Sequence, residues 1–490
     1  MSGPTDGAGR EAGWQAGWEM VIGLEVHCEL RTATKLFCGC PNSFGDEPNV
    51  NVCPVCLGLP GSLPVLNKQA VEFALRIGAA LHSEAQRSIF HRKNYFYPDM
   101  PKDFQISQYD VPVNAGGWLE LPSGKRIGIV RAHIEEDTGK TTHVGGGGRI
   151  HDAGYSLVDY NRAGVPLVEI VSAPDMSSAE EAREYVEELR AILVATGASD
   201  GKMEEGSLRV DCNVSVRPVG SEELGTRCEI KNMNSLRSLG RAIAYEAARQ
   251  VEVLSGGGLV AQETRHWDEA EGRTHSMRSK EEAFDYRYFP EPDLVTLAPS
   301  EEWVESVRAN LGTMPAQLRR RVAEAAGVPA SSEAVSTVVR LGLEGLVGAA
   351  VDAKADAGLA LRRLANEVAG ELGDGGGHHL GREEFAHLVL MEQKGELTSA
   401  QARSVLKIMV AEGGQPEEVA SRLGFEALGA GALEAVMEEV VAANPREWER
   451  YAGGDDKLTG FFIGKIKAAT GGNADLKAAS ALLRSRRSTT

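Results

Sequence analysis

Residues 20–30 read Met-Val-Ile-Gly-Leu-Glu-Val-His-Cys-Glu-Leu. Written as a strand, this stretch sends Met20, Ile22, Leu24, Val26, Cys28 and Leu30 to one side and Val21, Gly23, Glu25, His27 and Glu29 to the other, because successive side chains alternate faces. One side is oily and the other carries acids and an imidazole. Two later stretches repeat the division. In residues 207–217, Leu208, Val210, Cys212, Val214 and Val216 oppose Ser207, Arg209, Asp211, Asn213, Ser215 and Arg217. In residues 227–232, Cys228 and Ile230 oppose Arg227, Glu229 and Lys231. The three strands together imply a sheet with helices on its oily face and an open trough of carboxylates, His, Arg and Lys on the other.

The helices for that oily face are legible nearby. Ser178 with Glu181 three residues on reads as a capping box, followed by Ala182, Tyr185, Val186, Leu189, Ile192 and Leu193 at helical spacing and a stop at Gly197. Helical runs are also expected over 235–254 and 68–81. Beyond Ser300 the pattern becomes helices joined by Gly-rich breaks. The expected organisation is a flexible leader at 1–17, a catalytic domain with the cysteine cluster at 18–295, a helical domain at 296–410 and a helical tail at 411–490.

The 490 residues carry 52 Lys and Arg against 70 Asp and Glu, a net charge of −18. General attraction to a polyanion therefore has no support, and any nucleic acid must be met by a local patch or by shape. Arg484, Arg486 and Arg487 supply a little positive charge at the end, read as a solvated helix terminus. No signal or transit peptide fits the first residues, and no run of about 18 apolar residues occurs. A cytoplasmic protein without a membrane partner is expected.

Carboxylates gathered on one surface repel each other unless cations sit among them, and hard ions such as Mg²⁺ take oxygen ligands while carrying nucleotide phosphates. Candidate ligands are Glu25, His27, Glu136 or its neighbours in residues 133–140, Glu169 and Asp211. A solvated antiparallel face is the plainer reading, but an imidazole between Glu25 and Glu29 is an odd choice for one. Phosphate binding by a P-loop fails on spacing: Gly139-Lys140-Thr141 would need a glycine at 134, where Ile134 stands. The Gly145–Gly148 run reads as a connection. Nucleotide would then rest on metal ions and on Arg209 and Lys231. Cys28, Cys212 and Cys228 lie on oily strand faces and read as inert core thiols, so no nucleophile for amide or ester cleavage is evident.

The other four cysteines, Cys38, Cys40, Cys53 and Cys56, form a C-x-C and C-x-x-C pair separated by a short polar loop. Two such turns can close a tetrahedron around Zn²⁺. With all four positions taken by sulfur, the ion would be structural.

The blocks VIGLEVHCEL, FCGCPNSFGDEPN, CPVCLGLPGSLPVLN, RKNYFYPDMPKDFQISQYD, HIEEDTGK, DYNRAGVPLVEIVS, KMEEGSLRVDCNVSVRP, EIKNMNS, QETRHWDE and DYRYFPEPDL, spread over 19–294, resemble the B-subunit family of tRNA-dependent Asp/Glu amidotransferases. Residues 457–475 resemble its YqeY-type helical module. The resemblance implies an α+β fold: a glutamine-synthetase-like cradle of antiparallel sheet with helices on one face, then all-α middle and tail domains. It implies ATP-dependent phosphorylation of the side-chain carboxylate of Glu-tRNA(Gln) or Asp-tRNA(Asn), then amidation. An acyl phosphate is a competent acyl donor where a carboxylate is not. Ammonia would come from a separate amidase-type glutaminase subunit, with a further small subunit completing a heterotrimer on the mischarged tRNA. The family's Mg²⁺ ligands fall on Glu25, His27, Glu136, Glu169 and Asp211. Carrying all four cysteines, the chain looks like the zinc-bearing version. Two rival readings are a zinc-stabilised RNA scaffold without turnover and a metallohydrolase, the latter disfavoured by the excess of acidic over imidazole ligands.

Overall fold

The computed structural model describes residues 15, 17–145, 153–279, 286–372, 377–425, 430–470 and 476–487. The expected leader lies almost wholly outside the described residues, as does the Gly145–Gly148 run after its first member. The chain divides into two compact units, Met1–Ala316 and Gln317–Thr490.

The first unit is built on a sheet of 13 strands. Its principal members are β1 (Trp18–Glu29), β2 (Phe90–Asn94), β3 (Phe104–Gln108), β4 (Arg126–Glu136), β5 (Pro166–Ser172), β6 (Leu208–Pro218), β7 (Cys228–Met233), β8 (Glu263–Asp268) and β9 (Arg273–Ser279). Their order across the sheet is β9-β8-β7-β6-β1-β5-β4-β3-β2. The expected strand over 20–30 therefore sits in the middle, antiparallel to both β5 and β6. Ile22, Val26 and Cys28 on its oily side are completely buried. Each such aliphatic contributes roughly 1.5–3 kcal/mol on burial, which locks the register of a strand whose other face is polar.

Helices α1 (Lys68–Ala80), α2 (Ala179–Ala195) and α3 (Leu236–Ser255) contribute Ile77, Leu189 and Ile243 to the same core. The Ser178 hydroxyl accepts from the Glu181 N–H as expected. The returning arm of the capping box does not close on Ser178; the Glu181 carboxylate instead accepts from the Ser177 N–H at 2.7 Å and from Lys125.

One feature departs from an all-antiparallel cradle. β7 and β8 run parallel, Lys231 opposite His266, with α3 as the crossover between them. Two parallel neighbours need such a connection because a hairpin cannot join them. The helix Glu301–Ala309 belongs to the first unit and adds Val307 to its core.

The second unit is helical, with one core running from Val322 to Ala420 and another from Leu433 to Leu483. Of the terminal arginines, Arg486 pairs with Glu438 at 3.0 Å and Arg487 with Asp456 at 2.5 Å. No single described helix is long and apolar enough to cross a membrane.

Candidate active site

Because β1 lies between β5 and β6, its polar face meets theirs directly. Glu25 stands opposite Asp211 of β6, and His27 stands opposite both Arg209 of β6 and Glu169 of β5. Glu169 is in turn opposite His133 of β4. The outcome is one continuous polar surface holding Glu25, His27, Glu169, Arg209, Asp211 and Lys231, as alternation requires.

The densest part is around His27. Its Nε2 lies 3.6 Å from Glu169 Oε2 and 3.7 Å from Glu135 Oε1. His133 Nε2 is 3.4 Å from the same Glu169 oxygen. Ligand atoms of His27, Glu135 and Glu169 all fall within 4.8 Å of one another. Burial opposes ionisation of Glu169, but His133, His27 and Arg131 hold its carboxyl well below the usual range. Burial likewise disfavours a charged His27, yet the hydrogen bond and charge of Glu169, with Glu135 and Asp211, raise its pKa. Glu25 is different. Burial first, then the charges of Glu169 and Glu229, push its carboxyl up against the Asn213 amide, which donates to it at 3.0 Å. Negative charge is in surplus here, the condition a bound cation relieves.

Glu136 is not part of this surface. Its carboxylate accepts from the Ile106 N–H at 2.8 Å and from Lys102, and it is 2% exposed. It borders a separate cleft of about 230 Å³ shared with Cys56, Gly58 and Lys102. The neighbour, Glu135, takes the trough position. The reason is alternation, as in β1: Ile134 is fully buried in the core, so His133 and Glu135 must face the other way. Alternation along residues 133–136 would have selected Glu135. His133 was open to the same reasoning, whereas Lys93 of β2 was not, because only the long-range sheet order brings it near Glu135. Burial disfavours the Lys93 ammonium, but Glu135 and two tyrosines outweigh it and raise its pKa; the ammonium lies 4.8 Å from the Tyr286 ring.

The two basic candidates stand at different places. Lys231 bonds Asp211 at 2.6 Å and reaches Glu229 at 3.3 Å, beside Glu25. Arg209 bonds Asp137 at 2.5 Å, beyond His27, and Asp137 is also 3.3 Å from Arg162. Burial and the charge of Asp137 push the nearby Glu29 carboxyl up to about 8 against the pull of Arg209 and Arg162. At the opposite end of β1 a cleft of about 440 Å³ is lined by Gly23, Glu25, Ser172, Asn213, Arg227 and Gln262.

The four early cysteines come together, their sulfurs within 4.8 Å of one another and none in a disulfide. Sulfurs on a tetrahedral Zn²⁺ at about 2.3 Å would stand about 3.8 Å apart, and Cys53 and Cys56 are 3.9 Å apart. The Cys53 N–H donates to Cys56 Sγ at 3.1 Å. Hydrogen bonding from Cys38, with the nearby Lys35 ammonium, brings the Cys56 thiol down to about 5, while the same contact pushes Cys38 far up. The donor set fits a structural metal. Cys28, Cys212 and Cys228 are fully buried, and burial raises the thiols of Cys28 and Cys228 to about 12, in keeping with inert core thiols.

The GatB/GatE catalytic domain family matches residues 20–305, and the GatB domain family matches residues 346–486. The B subunit of an aspartyl/glutamyl-tRNA(Asn/Gln) amidotransferase from Carboxydothermus hydrogenoformans is 47% identical over 478 residues, 95% of this chain and 98% of its own. B subunits of the same description from Moorella thermoacetica and Frankia casuarinae are 47% and 49% identical, each over 96% of this chain and over 99% and 95% of their own.

Proposed function

The chain belongs to the GatB family of tRNA-dependent amidotransferase B subunits, and on that premise we propose that its trough uses ATP to activate the side-chain carboxylate of Glu-tRNA(Gln) or Asp-tRNA(Asn). Amidation then forms Gln-tRNA or Asn-tRNA. Ammonia comes from an amidase-type glutaminase subunit, with a third, small subunit in the same cytoplasmic heterotrimer.

The observation that carries this reading is the meeting of Glu25, His27, Glu169 and Asp211 with Glu135 on one half-buried surface. Mg²⁺ with ATP supplies, when bound, a phosphoryl group and the positive charge this surface lacks. Glu25, His27, Glu135, Glu169 and Asp211 would hold the ions, Glu135 taking the place expected of Glu136. Lys231, held against Asp211, offers a donor to phosphate oxygens at the Glu25 end. The cleft bordered by Gly23, Asn213 and Arg227 has the volume and polar walls for a nucleoside. His133 and Arg131 hold Glu169 ionised, so it stays a ligand and not a proton donor. The four-cysteine turn would bind Zn²⁺ without an open position and serve to stiffen the loop between β1 and α1.

The test is reconstitution with the glutaminase and the small subunit, followed by conversion of Glu-tRNA(Gln) with ATP and glutamine. Release of ADP should require the mischarged tRNA and disappear in Glu25→Ala and Asp211→Ala while tRNA binding persists. If those variants keep tRNA-dependent ADP release, the trough is a scaffold and the reading fails.

A further inference from the structure

One row across the sheet carries positive charge at both ends. Arg131 of β4 stands opposite Val171 of β5, Val171 opposite Glu25 of β1, and Glu25 opposite Asp211 of β6. Directly opposite residues share a face, so Arg131 and Val171 look into the trough beside Glu25. Lys231 of β7 closes the other end against Asp211. The two cations thus lie two strands to either side of Glu25.

Their donors are used differently. Lys231 bonds Asp211 at 2.6 Å and reaches Glu229 at 3.3 Å. The Arg131 guanidinium faces Glu169, but its Nη2 stays 3.7 Å from Oε1, too far for a hydrogen bond. The other oxygen of Glu169 already has His27 at 3.6 Å and His133 at 3.4 Å. The buried Nε–H of Arg131 has no acceptor among the described residues, while the side chain as a whole is 36% exposed. A rigid fork of donors, none hydrogen-bonded to a described residue, suits an oxyanion that arrives from outside.

Position says which oxyanion. The large cleft assigned above to the nucleoside runs across β1 toward Asn213 and Arg227, and Arg131 stands one strand beyond its Val171 wall. In-line phosphoryl transfer places donor and acceptor on opposite sides of the moving group. Between Glu25 and Arg131, two strand spacings leave about 9.6 Å of backbone separation, floored by the apolar Val171 side chain. We propose that Arg131 binds the side-chain carboxylate of the acceptor Glu or Asp, whose methylene carbons rest on Val171. This deepens the activation reading above and rests on it. One carboxylate oxygen attacks the γ-phosphorus, the bond from that phosphorus to the bridging oxygen breaks with its electron pair leaving on ADP, and the guanidinium holds the other carboxylate oxygen. An arginine so placed also selects a carboxylate over a carboxamide, so the amidated product is held less tightly than the substrate.

The experiment measures binding of Glu-tRNA(Gln) and Gln-tRNA(Gln) to the reconstituted complex with Mg²⁺ and a non-hydrolysable ATP analogue. Arg131→Ala should weaken Glu-tRNA(Gln) by about 10- to 100-fold, the range of a charge-assisted hydrogen bond, and Gln-tRNA(Gln) by much less. Affinity for the ATP analogue and the Mg²⁺ concentration at half-saturation should stay at wild-type values. Arg131→Lys, which keeps the charge without the fork, should recover part of the preference and serves the same comparison if the alanine variant fails to fold. Equal losses for both tRNAs, or no loss for either, overturn the inference. A loss matched by a shift in the Mg²⁺ half-saturation assigns Arg131 to Glu169 alone and overturns it too. A wild-type complex that releases no ADP with Glu-tRNA(Gln) and ATP overturns the functional reading and this inference with it.

Discussion

Glu25 and Asp211 are direct cross-strand partners at the centre of the sheet. Two like charges so placed destabilise an antiparallel pair by roughly 0.2–1 kcal/mol. Asn213 and Lys231 each take one of the two carboxylates, and the Glu25 carboxyl is still pushed above its usual range. The folded state therefore binds a proton at Glu25 more readily than the unfolded chain does. Stability declines as pH rises from about 4.5 through the raised folded value. Glu25→Gln should raise the midpoint of thermal unfolding by about 1–3 °C in EDTA at pH 7 while abolishing ADP release. Mg²⁺ should stabilise the wild type and have little effect on the variant, read by calorimetry with and without the ion.

Glu246 of α3 predicts the opposite slope. It is fully buried, and its bonds to Arg249, Gln250 and Thr274 overcome the burial that would raise its pKa, leaving the carboxyl below 4.5. Its stabilisation is complete above pH 4.5 and is lost as pH falls through the lower folded value. Glu246→Gln should cost about 3 kcal/mol in urea unfolding of the first unit at pH 7, because it strands the charge of Arg249. The difference between wild type and variant should shrink once the pH drops below about 4.

The cysteines should divide into two chemical groups. Purified protein is expected to hold one equivalent of zinc by mass spectrometry, reduced to a small fraction in Cys53→Ala or Cys56→Ala. Removal of zinc by a strong chelator should expose Cys38, Cys40, Cys53 and Cys56 to a thiol reagent. Cys28, Cys212 and Cys228 should stay unlabelled until the chain unfolds: all three are buried, burial raises the Cys212 thiol, and at about 12 those of Cys28 and Cys228 are ionised to only about one part in ten thousand at pH 8.

Exchanging the neighbouring acids of β4 tests which one faces the trough. Glu135→Gln should lower kcat by at least about 100-fold with a shift in the Mg²⁺ requirement. Glu136→Gln should leave the Mg²⁺ requirement unchanged, because its contacts are Lys102 and the Ile106 N–H. An identical magnesium titration for both variants would count against the assignment of Glu135.

Much of this site is legible in the chain because a strand buried on one side announces both of its faces at once. Alternation alone assigns the residues of β1 and β6 to their sides, and the Ser178 and Ser235 caps mark where α2 and α3 begin. Adjacent acids defeat a reading that stops at composition: Glu135 and Glu136 are separable only by noticing that Ile134 must point inward. The parallel pairing of β7 with β8 is beyond reach, since it depends on which distant strand the α3 crossover delivers. The meeting of Arg209 with Asp137 depends likewise on β4 and β6 lying either side of β1 and β5.

A single continuous segment of backbone, β1, carries Gly23, Glu25, His27 and Glu29 in sequence, and its peptide geometry sets the intervals between them. Such a rod has no adjustable joint. Deleting or inserting one residue would swing every polar group into the oil and every aliphatic into water, so changes in substrate length should be met by alterations on β4 and β6 and leave the rod itself untouched.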